Sequence, residues 1–421
     1  MNDEERAIKI AYVTAFEPRD RQGWSGTIYY IAQTLQKHIG EVTYLGPRGT
    51  FHEKLIGMAL RRTLKFLNKR DSLFAEEGLV YKKLVGIALH RSSKLLLKKK
   101  FVYEESYLIA KRYASVGAQK LAEQAFDLIV APAGVRAVCF LETNIPIILV
   151  GDSTYPLLLD YYPEFKNVLK RSVREMHSIE DLALKKASAI IYSSAWAAQS
   201  AIEDYHIDPR KVHVVPFGAN LEHPPAEELV LQRKKSGRCT LFFLGVSWQR
   251  KGGDIAFETL LELEEMGISA ELIVCGCTPP KEFSHERMKV IPFLNKNDVR
   301  QRNELDRLFM LSDFLLLPTR GDCLGVVFCE AAAFGLPVIT TSTGGVAEAV
   351  IDGENGFLLP LDARGDAYAE VIARTYRDDE RYNELVRASR AAFDTRLNWD
   401  VWGVAVKKIL AELLDRPISC R

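Results

Sequence analysis

Short apolar runs alternate with amphipathic stretches along the whole chain, the pattern of strands and helices built on a parallel sheet. Ile8 to Val13 predicts a first strand, Thr27 to His38 its helix, and Val42 to Leu45 a second strand. Leu128–Val130, Ile147–Val150, Ala189–Tyr192 and Val212–Val215 continue the series. The punctuation then changes. Pro216 to Asn220 and the polar stretch from Glu222 to Arg238, with paired prolines and a Lys-Lys-Ser-Gly run, predict a linker. Beyond it Thr240–Gly245, Ala270–Cys275, Lys289–Phe293, Phe314–Leu317 and Val338–Ile339 form a second set. The expectation is an α/β protein of two similar halves, residues 1–216 and 217–397, with an amphipathic Val404–Leu414 following Asn398–Gly403.

Residues 54–112 depart from this alternation. Between Arg61 and Arg112 stand 14 Lys or Arg against five acids, a local net of +9, interleaved with Leu64, Phe66, Leu67, Leu84, Ile87, Leu89 and Leu95–Leu97. Such a stretch can lie on an anionic membrane, where each cation contributes on the order of 1 kcal/mol. Solvated helices covering the first half are the competing reading.

Composition narrows the classes. At 421 residues and 48% hydrophobic content the chain can bury a sizeable core. Its 56 basic and 55 acidic side chains leave a net of +1, which argues against a nucleic-acid binder. Seven cysteines in apolar surroundings, with no amino-terminal signal sequence, point to the cytoplasm. Cys275 and Cys277 have no His or further Cys nearby, so they read as structural thiols. None of the eight histidines has metal-ligand spacing, and no metal is expected. The apolar runs fall short of the ~18 residues of a membrane span, so the protein is expected to be soluble or peripheral at the inner membrane face.

The most informative chemistry lies after the strand Phe314–Leu317. A turn containing Asp322 leads into a helix that opens near Gly325, carries Glu330 and stops before Gly335 and Pro337. The free amides and partial positive charge of a helix N-terminus suit a diphosphate, and glycine lets the backbone come close. Glu330 lies about one and a half turns further on, at ~3.6 residues per turn, where a carboxylate can accept from two adjacent hydroxyls such as those of a ribose.

Asp322 and Glu330, together with Thr341–Glu348, Asp352–Gly356 and Phe243–Asp254, resemble glycosyltransferase family 4. The similarity covers most of residues 180–410. It implies the glycosyltransferase-B fold, two Rossmann-like domains facing across a cleft, with residues 398–421 returning to the first. An ordinary carboxy-terminal helix packed on the second domain is the alternative. It further implies a retaining, metal-independent transfer of a sugar from a UDP- or GDP-linked donor to a glycan, lipid-linked or small hydroxyl acceptor. The nucleotide sugar is substrate; no cofactor is implied.

Carried onto this chain, the resemblance gives Arg250 and Lys251 the charge that grows on the departing diphosphate. The family's usual Arg directly after the strand glycine is here Val246, so Arg250 is a substitute for it or else faces solvent. Asp322 stands where the family has a glutamate that holds hydroxyls of the sugar, with roughly 1.5 Å less reach; capping its own turn is the competing role. Leu324, Gly325 and Val326 would act through their amides and Glu330 on the ribose. Gly23 and Gly26, in Gln22–Thr27, resemble the glycine-rich loop that faces the donor across the cleft. Asp152 stands where many members place a histidine; it reads as acceptor-binding or base-like assistance, or as a helix cap. Asn295 falls where the family cradles the base, or closes a turn. No nucleophile is needed, because the departing phosphate takes the acceptor's proton in the front-face mechanism proposed for the family. Two other classes stay open: a sugar-nucleotide 2-epimerase, and a catalytically degenerate sugar-nucleotide sensor.

Overall fold

The computed structural model describes residues 7–45, 99–235, 237–415 and 418. The part of the basic, apolar-interleaved stretch from 54 to 98, and with it the expected membrane contact, lies outside the described residues.

Among the described residues two six-stranded sheets form, every strand pair parallel. The first runs β2 (Gly40–Tyr44), β1 (Ile8–Tyr12), β3 (Leu128–Pro132), β4 (Ile147–Gly151), β5 (Ala189–Tyr192), β6 (Val212–Val214). The second runs β12 (Gly356–Leu359), β11 (Val338–Thr341), β10 (Phe314–Leu317), β7 (Cys239–Leu244), β8 (Ala270–Cys275), β9 (Met288–Ile291). β3 and β10 are buried at every residue, as expected for strands covered on both faces by helices. That is why they read as unbroken apolar runs rather than alternating ones. In each sheet the order reverses beside an early strand, between β1 and β3 and between β7 and β10. The crevices at such reversals are where open α/β sheets take ligands.

Three local features depart from the sequence expectation. The stretch read as linker contains a helix, Glu227–Leu231. Val230 buries completely there, and the Arg233 guanidinium donates to the carbonyls of Phe334, Phe309, Met310 and Ser312. One long side chain thus fastens a polar segment to the second domain. β12 was hidden inside a glycine-rich motif; it pairs with β11 from Val338↔Gly356 to Thr341↔Leu359. β9 is an edge strand whose Lys289 and Val290 are exposed.

The final helix, Trp399–Leu414, is capped by the Asn398 side chain, which accepts from the Val401 amide at 2.9 Å. It packs on Thr27–His38 of the first domain. Asp400 bonds Lys37 and His38 at 2.6 and 2.7 Å. A side chain at Gly403 would meet His38 and Thr34 at 2.5 and 2.7 Å, so the two helices approach with no room for a Cβ. Trp399 stacks on Tyr30 and Phe217 and donates from Nε1 to Asn220 at 3.0 Å. Asn220 in turn donates to the Ser25 carbonyl at 2.9 Å, tying the crossing between domains to the loop after β1.

Candidate active site

β10 delivers the chain at Leu317 into a loop, and the helix Val326–Ala333 begins behind Gly325. Gly325 has φ +80, and a Cβ there would fall 2.3 Å from the Phe328 ring, so only glycine opens this helix in this way. Gly252, at φ +76, has the same role one loop away: a Cβ would collide with the Pro318 carbonyl at 1.9 Å. The close contact sets Lys251 against the loop that follows β10.

At that point the charges converge. Lys251 Nζ lies 2.8 Å from both carboxylate oxygens of Asp322, and the pair is buried. Arg250 turns inward as well. Its Nη1 donates to the Gly321 carbonyl at 2.6 Å and reaches Asp322 Oδ1 at 3.3 Å, with the guanidinium 4.8 Å from the Tyr162 ring. Burial pulls the Lys251 ammonium below its ordinary value, opposed by Asp322. The Asp322 amide and carbonyl are held by Tyr161 OH at 3.0 and 3.3 Å, so the first domain grips the turn directly.

One and a half turns along the helix, Glu330 is buried and bonded at 2.5 Å to Lys296 Nζ. Burial pushes its carboxyl up, and Lys296 opposes the shift. Across the cleft Asp152 directly follows β4. It accepts from Trp24 Nε1 at 3.0 Å and Ser153 Oγ at 3.2 Å, and burial pushes it up to about 6. Trp24 and Ser25 both have positive φ, 49 and 60, and are followed by Gly26 at 96. A run of left-handed backbone stores strain where the loop meets the cleft.

These groups line one cavity of about 470 Å³ between the domains. Its wall includes Asp152, Arg250, Lys251, Asp322 and Glu330, as well as Leu324, Gly325 and Val326, where the first amides of a helix have no intrahelical partner. Val246 stands on the same wall, 69% exposed, and brings no charge. Three expected residues lie beside the cavity rather than on it. Asn295 accepts from Gln22 Nε2 at 2.8 Å and so bridges the two domains. Gly26 passes over the Arg21 carbonyl, while a Cβ at Gly23 would make only ordinary contact with Phe16. Sequence reasoning did not single out Lys296, Trp24 or Tyr162, all on the wall. A lone lysine beside Asn295 and Tyr162 in an unpatterned loop carried no periodic or motif signal, and in the glycine-rich loop Gln22–Thr27 the glycines, not Trp24, carried it.

A second cavity of about 290 Å³ opens in the first domain and shares Trp24, Asp152, Tyr162 and Cys323 with the first. Phe16, Tyr155 and Phe165 furnish its aromatic wall, and Glu105 is paired with Arg136. Among the described residues no group of three or more His, Cys, Asp or Glu is placed to hold a metal ion. Nor is any helix among them long and apolar enough to cross a membrane.

Two parallel α/β domains meeting at a charged cleft define the glycosyltransferase-B architecture, and comparison with solved structures agrees. The chain superimposes on a glycosyltransferase from Rickettsia africae with a TM-score of 0.61 at 15% identity, covering 97% of this chain and 99% of that one. The Anabaena protein HepE, in complex with UDP-glucose, gives 0.60 at 17% identity, covering 96% and 100%. In sequence, residues 238–378 match the family described as glycosyl transferases group 1. Residues 238–378 are thus similar to a group 1 glycosyl transferase domain, and the chain has the glycosyltransferase-B fold. Among curated relatives, a D-inositol 3-phosphate glycosyltransferase of Xylanimonas cellulosilytica is 26% identical over 260 residues, 56% of this chain and 60% of that protein. The lipopolysaccharide glucosyltransferase WaaG of Escherichia coli is 27% identical over 204 residues, 46% and 51%. The matched stretch thus spans between half and three-fifths of these relatives' length.

Proposed function

We propose that this protein is a retaining, metal-independent glycosyltransferase that moves a hexose-type sugar from a UDP- or GDP-linked donor to a hydroxyl of a glycan, lipid-linked or small acceptor. The observation that carries the reading is the convergence of Arg250 and Lys251 on Asp322 beside the opening of the helix Val326–Ala333, in a cavity walled by both domains. In this reading the diphosphate takes the free amides at Leu324–Val326, and the two cations stabilise charge on the β-phosphate oxygen as the bond to the sugar C1 breaks. Arg250 serves in place of the side chain that Val246 lacks. The acceptor oxygen bonds to C1 on the same face, and its proton passes to the departing phosphate oxygen. Asp322, released in part from Lys251 by the incoming phosphate, holds sugar hydroxyls, and Glu330 holds the ribose. Asp152, at the junction of the two cavities, sits on the acceptor side. The UDP-glucose complex of HepE and the glycan-directed names among the relatives support the donor and acceptor classes.

The test is a panel of labelled UDP- and GDP-sugars incubated with purified protein, with nucleotide diphosphate release followed in the presence of mixed glycan and glycolipid acceptors. Acceptor-dependent release with retained anomeric configuration is expected. Tight binding of a donor without turnover would instead make the protein a sensor, and free epimerised nucleotide sugar without acceptor would make it an epimerase.

A further inference from the structure

Lys296 lies in the loop between β9 and the helix Val299–Leu311, beside the Asn295 that the resemblance sets against the base. The loop is fastened at several points. Arg302 donates to the Lys296 carbonyl at 2.9 Å, the Asn295 amide donates to Gln301 Oε1 at 2.7 Å, and Asp298 caps the helix through the amides of Arg300 and Gln301. So held, the side chain enters the cavity wall and ends 2.5 Å from Glu330 Oε1. A carboxylate has lone pairs for about four donors. With one oxygen on an ammonium, Oε2 and the spare lone pair of Oε1 remain for a ligand.

The surroundings make this pairing consequential. The other titratable groups that act on Glu330 or respond to it bring no balancing cation. Asp306, on Val299–Leu311, is itself pushed up to about 6 by burial and by the charge of Glu330, with Lys296, Arg302 and His223 pulling the other way. Tyr30, from the first domain, is pushed up by burial and by Glu330, and the adjacent Cys329 thiol is pushed up to about 12. Among the described residues Lys296 is the cation in ion-pair contact with Glu330. A buried carboxyl without such a partner takes up a proton, and once protonated it offers a donor where a diol needs acceptors.

We propose that Lys296 is a positioning residue for the donor: its ammonium holds the Glu330 carboxylate ionised and fixed, so that the remaining lone pairs accept from the two ribose hydroxyls. The inference rests on the reading of Glu330 as the ribose ligand. It adds a residue outside the motifs that carry the resemblance, and it makes recognition of the ribose depend on an ion pair rather than on a lone carboxylate.

The experiment is calorimetric titration of UDP and GDP, and of their 2′-deoxy forms, into wild type, Lys296→Arg and Lys296→Met between pH 6 and 8.5, with Lys296→Gln in reserve should the methionine variant not fold. Asp306, at about 6 and held down in the wild type by Lys296, titrates in the same window and shifts in the methionine variant, so Lys296→Met is also measured in an Asp306→Asn background. For the nucleotide that wild type binds, Lys296→Met is expected to weaken binding at least about tenfold at pH 7, in line with the loss of a charged hydrogen bond. It should recover part of that loss as pH rises and Glu330 ionises, and lose most of the preference for ribose over deoxyribose, while Lys296→Arg stays within about threefold of wild type. Binding by Lys296→Met equal to wild type at every pH overturns the inference. So does a uniform, pH-independent weakening shared by the arginine variant, which marks a merely structural lysine. If wild type binds neither nucleotide, it is the proposed function that fails, and this inference falls with it.

Discussion

The two ends of the helix Val326–Ala333 present the same pairing of carboxylate and cation with opposite balances. At the N-terminal end Asp322 is met by both Lys251 and Arg250, an excess of positive charge beside unpartnered amides. Along the helix Glu330 meets Lys296 alone, and the pair is neutral. The first end is short of an anion, and the second is short only of hydrogen-bond donors. A nucleotide sugar supplies both in that order, a diphosphate followed by a ribose. On the proposed reading, the charge balance along this one helix sets the orientation of the nucleotide sugar in the cavity.

The contrast can be broken most forcefully at its charged end. Lys251→Met should lower turnover about 10²–10³-fold, the usual cost of removing one donor to developing oxyanion charge, while changing nucleotide affinity far less. Steady-state kinetics beside calorimetry separates the two, and equal losses in both would assign Lys251 to ground-state binding. At the balanced end Glu330→Ala should raise the donor dissociation constant at least tenfold, since a buried charged hydrogen bond contributes about 1.5–3 kcal/mol, with the fold kept as judged by circular dichroism. Unchanged donor binding by calorimetry would refute the ribose role. Arg250→Ala should cost about tenfold in turnover, less than Lys251, because its guanidinium is also committed to the Gly321 carbonyl and the Tyr162 ring. Asp152 lies off this axis and sharpens it by pH. Its carboxyl, pushed up to about 6 by burial, is protonated below that pH and ionised above it. If its ionised form assists the acceptor, activity should fall as pH drops through about 6, and Asp152→Asn should flatten that limb of the profile. At the smallest extreme, chelator should leave activity unchanged.

How much of this the sequence disclosed differs between the domains for a physical reason. The inner strands of the second domain are almost wholly buried, and Gly252 and Gly325 sit where a Cβ is sterically forbidden, so these two glycines, with Lys251, Asp322 and Glu330 close to them in sequence, left a strong local pattern. β12 escaped because a short strand beginning at Gly356 looks like a turn until β11 is beside it. The first domain shapes its side of the cleft with Trp24, Tyr161 and Tyr162, aromatics in loops that nothing periodic marks. The direction of Arg250 was beyond sequence reasoning, since adjacent residues such as Arg250 and Lys251 often point apart, and only the turn at Gly252 against Pro318 brings both to Asp322. Lys296 was invisible for the same reason: its meaning lies in a contact with a residue 34 positions away.

The most direct measurement is a crystal structure of the protein grown or soaked with UDP or GDP. The account requires the diphosphate on the amides of Leu324–Val326 with Lys251 and Arg250 beside it, and the ribose hydroxyls on Glu330. A nucleotide seated elsewhere, or one lying in this cavity with its ribose away from Glu330 and its phosphates away from the two cations, would contradict it.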